Sequence, residues 1–381
     1  MKIQTEKSPA IKRSSIRMFI YRAMSGFLLL FLLTIHRGCQ ENQFTNSTST
    51  NQNSFDFKLP VSNDLMQINL VSEVDDYIPA FLSRAWGIAF NEEGEACLSS
   101  NAKGLSTIYD GNGISLKSTV GIPFNGDPTG AAPSGVVYNN TSAFIIPSSG
   151  EKSEFIFATE NGTIAAWSSG SVANTVADHS ASMAVYKGLA LAKQGGKNFL
   201  YATDFRNAKI DVYDQLFTYQ HGYSFTDPAM PAGYAPFNIR EINGQLYVTY
   251  AKQLAPENKN DDPGPGNGYI DIYNNDGSFV KRFASQGTLN SPWGIERVAG
   301  SQPGILIGNY GNGKINVFDM KGNFTMYLKS GGIPIEIKGL CAIIFPKKNL
   351  PPNDRKRLYF TAGSKGESST LFGYLSPNRL R

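Results

Sequence analysis

Leu200-Tyr-Ala-Thr-Asp-Phe-Arg-Asn-Ala-Lys-Ile-Asp-Val-Tyr213 reads as two β-strands around a polar turn. Both arms are short runs of apolar, β-branched and aromatic residues, and the second alternates strictly between polar and apolar. The second arm recurs as Ser106-Thr-Ile-Tyr109, Gly162-Thr-Ile-Ala-Ala-Trp167, Tyr269-Ile-Asp-Ile-Tyr273, Lys314-Ile-Asn-Val-Phe318 and Leu371-Phe-Gly-Tyr374. Its closing aromatics are 45 to 60 residues apart. A period of that length marks stacked supersecondary units.

The first arm recurs as well, ending at Ser100, Glu160, Tyr250, Asn309 and Ala362. Ahead of each copy stands a third run: Trp86-Gly-Ile, Ser134-Gly-Val, Lys187-Gly-Leu, Phe237-Asn-Ile, Trp293-Gly-Ile and Lys338-Gly-Leu. Glycine in the second position suits innermost strands that crowd around an axis. With weaker outer strands such as 279–284 and 324–329, the pattern predicts an all-β, six-bladed propeller over 66–377. The last unit lacks room for a fourth strand, and Asn69-Leu-Val-Ser-Glu73 is an orphan ahead of the first, so the two are expected to pair and close the ring.

The composition agrees. Gly 38 and Pro 20, with 12% aromatic and 17% charged residues, exclude a coiled coil and an acidic disordered chain. The formal charge of +4 misleads, because residues 1–38 alone carry +6 and leave −2 on the rest. With no Lys/Arg stripe beyond that segment, nucleic acid is discounted as a partner.

In 1–38 the basic region precedes Gly26-Phe-Leu-Leu-Leu-Phe-Leu-Leu-Thr-Ile35, which suits the apolar core of an export signal and is short for a membrane span. Gly38-Cys39 resembles a lipoprotein cleavage site, with Cys39 as the acylated residue. His36 and Arg37 depart from that pattern, and a signal anchor or ordinary cleavage is the alternative. Residues 39–65 are expected to be a polar flexible tether, and 378–381 a short tail. The chain is thus expected in the cell envelope as a lipoprotein, or otherwise periplasmic or secreted.

Leu200-Tyr-Ala-Thr-Asp-Phe, Pro231-Ala-Gly-Tyr-Ala-Pro-Phe-Asn-Ile, Leu246-Tyr-Val-Thr-Tyr-Ala-Lys-Gln, Gly264-Pro-Gly-Asn-Gly and Ser291-Pro-Trp-Gly-Ile resemble a family of conserved exported proteins with an NHL-like six-bladed propeller. The resemblance covers roughly residues 66–376 and implies fold and export, not an activity. Some members carry a PEP-CTERM sorting tail. This chain ends Ser376-Pro-Asn-Arg-Leu-Arg381 instead, so retention at a surface would rest on Cys39.

Two rings of residues are expected where the loops entering the inner strands converge on the axis. Trp86, Lys187, Phe237, Trp293 and Lys338, with Ser134, form a rim suited to stack on and charge-pair with a glycan or peptide carboxylate. The plainer reading wedges the aromatics between blades and leaves the lysines in solvent. Glu160 and Asp204 end the second strands of adjacent repeats and, with Asn309 of the fifth, could hold a divalent cation, calcium before zinc. Alternatively they bond their own turns. The insert at 252–267, with Glu257, Asp261 and Asp262, is either a lid over that mouth or a solvated loop.

Beyond 1–38 the histidines are His179 and His221, too few for a three-histidine zinc site. Gly-x-Ser-x-Gly, Walker and His-Glu-x-x-His sequences do not occur. Cys97 and Cys341 fall on neighbouring blades, either as two buried thiols or as a disulfide. The leading expectation is an envelope-exposed module binding a glycan, a peptide or an envelope protein. A metal-dependent hydrolase or lactonase at the channel mouth and a structural scaffold are the alternatives, and whether the chain is an enzyme stays open.

Overall fold

The β-branched and aromatic runs form short strands because each buries one or both faces against neighbours in a layered sheet. The computed structural model describes residues 64–72, 81–117, 119–300, 302–346, 356–363 and 370–377. Cys39, the export segment, the tail and all but the last two residues of the expected tether lie outside them.

The strand β1 (Leu65–Ser72) comes first. Blade one is β2 (Ala85–Phe90), β3 (Ala96–Ser100), β4 (Leu105–Tyr109) and β5 (Val120–Gly121). Blade two is β6 (Pro133–Tyr138), β7 (Phe155–Thr159), β8 (Thr163–Trp167) and β9 (Asn174–Asp178). Blade three is β10 (Tyr186–Gln194), β11 (Lys197–Asp204), β12 (Lys209–Asp214) and β13 (Tyr219–Gln220). Blade four is β14 (Tyr234–Ile242), β15 (Gln245–Lys252), β16 (Tyr269–Tyr273) and β17 (Phe279–Ser285). Blade five is β18 (Pro292–Val298), β19 (Gly304–Asn309), β20 (Ile315–Asp319) and β21 (Phe324–Tyr327), followed by the small hairpin β22 (Lys329–Ser330) and β23 (Ile333–Pro334). Blade six is β24 (Leu340–Ile344), β25 (Leu358–Gly363) and β26 (Thr370–Pro377), and its outer place is taken by β1.

Each blade is therefore a four-stranded antiparallel sheet, and the six-bladed expectation holds. Ring closure holds too: β1 pairs antiparallel with β26 from Leu65↔Pro377 to Ser72↔Leu371. The last blade's outer edge is thereby supplied from the other end of the chain.

The inner strands meet at the glycines. A β-carbon on Gly87 would stand 2.5 Å from the Ser134 carbonyl, and one on Gly135 would stand 2.9 Å from that of Lys187. Only glycine lets the backbones approach so closely. Polar side chains stitch the same level: Ser134 Oγ donates to the Tyr186 carbonyl at 2.8 Å and Asn238 Nδ2 to that of Trp293 at 2.7 Å. Thr361 closes the circle by donating to the Trp86 carbonyl.

Pairing of first and second strands corrects one alignment. Ala85, Pro133, Tyr186, Pro236, Pro292 and Leu340 hold equivalent places opposite Ser100, Thr159, Asp204, Tyr250, Asn309 and Ala362. The next residue, the rim position, is Cys341 in blade six, not Lys338. Gly339, which suggested the alignment, lies in the turn ahead of β24 with φ +69°. Lys338 is exposed.

Candidate functional site

Trp86, Lys187, Phe237 and Trp293 are brought together, and they are buried. Each is at most 5% exposed. The Trp86 and Trp293 rings meet edge to face at 6.3 Å, although they belong to blades one and five. Tyr310 stacks on Trp86 at 5.9 Å and meets Phe237 at 6.5 Å, while Phe205 packs on Phe237 at 5.0 Å. These contacts build an aromatic plug across one end of the axis.

Lys187 lies inside the plug. Its ammonium is bound to the Glu160 carboxylate and stands 4.7 Å above the Trp86 ring. Burial alone would raise the Glu160 carboxyl. Lys187, Asn101 and Arg84 outweigh it and hold the group below the usual carboxylate range. Among the described residues, the indole N–H groups of Trp86 and Trp293 find no hydrogen-bond partner.

Glu160 does not join Asp204 and Asn309, because it is one residue out of step with them. Thr159, not Glu160, pairs at the position of Asp204 and Asn309. Glu160 instead matches Phe205 and Tyr310, and like them donates its backbone N–H to the residue just ahead of the inner strand. A single step along a strand turns a side chain to the other face. Asp204 accepts from the Val185 N–H at 3.0 Å and from Asn207 Nδ2 at 2.7 Å. Asn309 accepts from the Asn290 N–H at 3.1 Å and donates to the Thr288 carbonyl at 2.8 Å. Among the described residues, no three His, Cys, Asp or Glu side chains converge to hold a metal ion.

The 252–267 insert is anchored to the blades on either side. Gln253 Nε2 donates to the Phe205 carbonyl at 2.6 Å, and the Gly264 N–H to Asn290 Oδ1 at 2.8 Å. It carries Asp261 inward, where burial pushes the carboxyl up against the opposing pull of Ser291 and Lys187. Asp262 instead pairs with Lys252 at 2.8 Å.

Open space lies at the other end of the axis. A cavity of about 500 Å³ is lined by residues of all six inner strands, Ile88, Val136, Leu189, Ile239, Ile295 and Ile343 among them. Every inner strand is the edge of its sheet, so unpaired backbone groups face this space beside the aliphatic side chains. The mouth carries Tyr138, Asn140, Thr141, Lys193, Arg240 and Glu241, all from blades two to four. Arg240 is tied to Glu296 at 2.7 Å. Trp293 lines the cavity, making it the residue common to the chamber and the plug.

Phe205, Tyr310 and the cavity were missed in the sequence. The two aromatics directly follow Asp204 and Asn309, and comparison of that position across repeats would have found them. Cys97 and Cys341 are free and buried, and burial pushes both thiols up, Cys341 to about 12.

No protein-family model matches the chain. It is 33% identical over 324 residues to the uncharacterized protein L690 of Acanthamoeba polyphaga mimivirus, covering 78% of this chain and 81% of that one. The uncharacterized proteins R640 and R648 of the same virus are 39% and 35% identical, over 55% and 51% of this chain. The chain spans only 42% and 49% of their lengths. Among solved structures, a Bacteroides thetaiotaomicron protein of unknown function superposes with TM-score 0.55 at 10% identity, covering 82% of this chain and 77% of that one. A streptogramin B lyase gives 0.50 at 14%, over 82% and 97%. At such identities the likeness is one of fold.

Proposed function

We propose that this chain, a member of the family of the mimivirus protein L690, is an exported propeller, attached to a membrane through its N-terminal segment, that binds a ligand or protein in its axial cavity. The observation carrying this reading is the cavity itself. It is closed at one end by the aromatic plug and opens at the other through a mouth of amide, hydroxyl and charged groups. Concave sites of this size with a few convergent polar groups are the usual seats of small ligands and inserted chain ends. Unpaired strand edges and mouth amides suit the hydrogen-bonding surface of a glycan or a peptide end.

Export is supported by the basic and apolar pattern of 1–38, and the attachment is either an acyl group on Cys39 or the apolar run acting as an anchor. Labelling with a fatty-acid analogue separates the two: signal lost in Cys39→Ser supports the acyl group, and label that persists removes it.

Glycan and peptide arrays probed with the purified chain test the binding function. Signals that vanish when Lys193→Trp sets an indole at the mouth are expected. Signals that survive in a folded Lys193→Trp variant would place the binding surface elsewhere.

A further inference from the structure

We propose that Asn140, on the rim of the axial cavity, is an N-glycosylation site and that its neighbour Asn139 is not. The inference rests on the export reading and concerns a modification rather than the ligand. Four Asn-x-Ser/Thr sequences fall among the described residues, at Asn139, Asn140, Asn161 and Asn323. The first two overlap in Asn139-Asn-Thr-Ser142, so sequence alone gives them equal standing.

The structure separates them. Asn139 is fully buried, and its Nδ2 donates to the Ala143 carbonyl at 2.8 Å and the Ser153 carbonyl at 3.0 Å. Its Oδ1 takes the Thr141 N–H and hydroxyl at 3.0 and 2.7 Å. A sugar on that nitrogen would break the loop that follows β6. Asn161 is half-buried, with Oδ1 holding the Ala132 N–H at 2.7 Å, and Asn323 gives its amide to Asp319 at 2.8 Å. Asn140 is exposed, its side chain makes no hydrogen bond among the described residues, and Ser142 beside it is exposed as well. Its place on the cavity mouth would set a glycan beside the opening.

The donor required is an oligosaccharide on a polyisoprenyl diphosphate, and export into the endoplasmic reticulum is the route that would supply it. Asn140 Nδ2 bonds to the anomeric carbon, and the bond from that carbon to the diphosphate oxygen breaks. The diphosphate leaves with the electron pair, and the amide nitrogen gives up one proton.

The overlap makes the test clean, since Asn140→Gln leaves the Asn139 sequence intact and Asn139→Gln leaves that of Asn140. The full chain is translated with endoplasmic-reticulum microsomes and treated with protease or with an amide-cleaving glycosidase, and glycopeptides are mapped. Expected are a protease-protected chain with a glycan at Asn140, lost in Asn140→Gln and kept in Asn139→Gln. A protected chain bare at Asn140, or one glycosylated at Asn139, overturns this proposal alone. An unprotected chain overturns the export reading, and this proposal with it.

Discussion

Lys187 and Glu160 form an ion pair buried between blades three and two, with side chains only 2% and 8% exposed. Removing one member of such a pair leaves a charge stranded away from water, which costs about 3–5 kcal/mol. Lys187→Met and Glu160→Gln should each lower the unfolding free energy read from urea titration by that order, and the double variant by less than their sum. Additive losses would show that the pairing does not matter.

The two acids at the plug should respond oppositely to pH. Glu160 is held low when folded, so its stabilising contribution is present above its unfolded value and disappears as pH falls through the folded one. Asp261 is held high, so its contribution is complete below its unfolded value and is lost as pH rises through the folded one. Urea titrations across the acid range should therefore find the acid limb flattened in Glu160→Gln. Asp261→Asn should gain stability near neutrality, and an unchanged neutral midpoint would contradict the burial of that carboxyl.

Ring closure depends on Gly373. A β-carbon there would stand 2.3 Å from the Ile68 carbonyl oxygen and 2.9 Å from Phe360 Cζ. Gly373→Val should cost about 1–3 kcal/mol through overpacking and expose the β26 edge. Thermal unfolding with light scattering reads both effects, and a variant as stable and monodisperse as the parent would argue against the β1–β26 pairing.

Much of this was legible from the residues. The repeat, the six blades, the glycine level and the closing strand follow from runs whose period and chemistry are local. Site placement failed where register decides: Gly339 imitated an inner-strand glycine from within a turn, and Glu160 matched Asp204 by eye while sitting one pleat away. The cavity left no residue signature because strand edges, rather than a distinctive set of side chains, form much of its wall.

Register also bears on metal binding. With Glu160 turned away, Asp204 and Asn309 each bond their own loops, so calcium or manganese at about 1 mM should leave the Tm unchanged. A rise of several degrees that disappears in Asp204→Ala would restore a metal site at this end of the axis.

The most direct test of the functional reading compares array binding by the parent chain with binding by Lys193→Trp, which sets an indole at the cavity mouth, and Lys338→Ala, on the surface outside the rim. Loss of at least tenfold in affinity for Lys193→Trp, about 1.4 kcal/mol, with Lys338→Ala unchanged, is the result predicted. Full binding by a folded Lys193→Trp protein, or loss in Lys338→Ala, would contradict it.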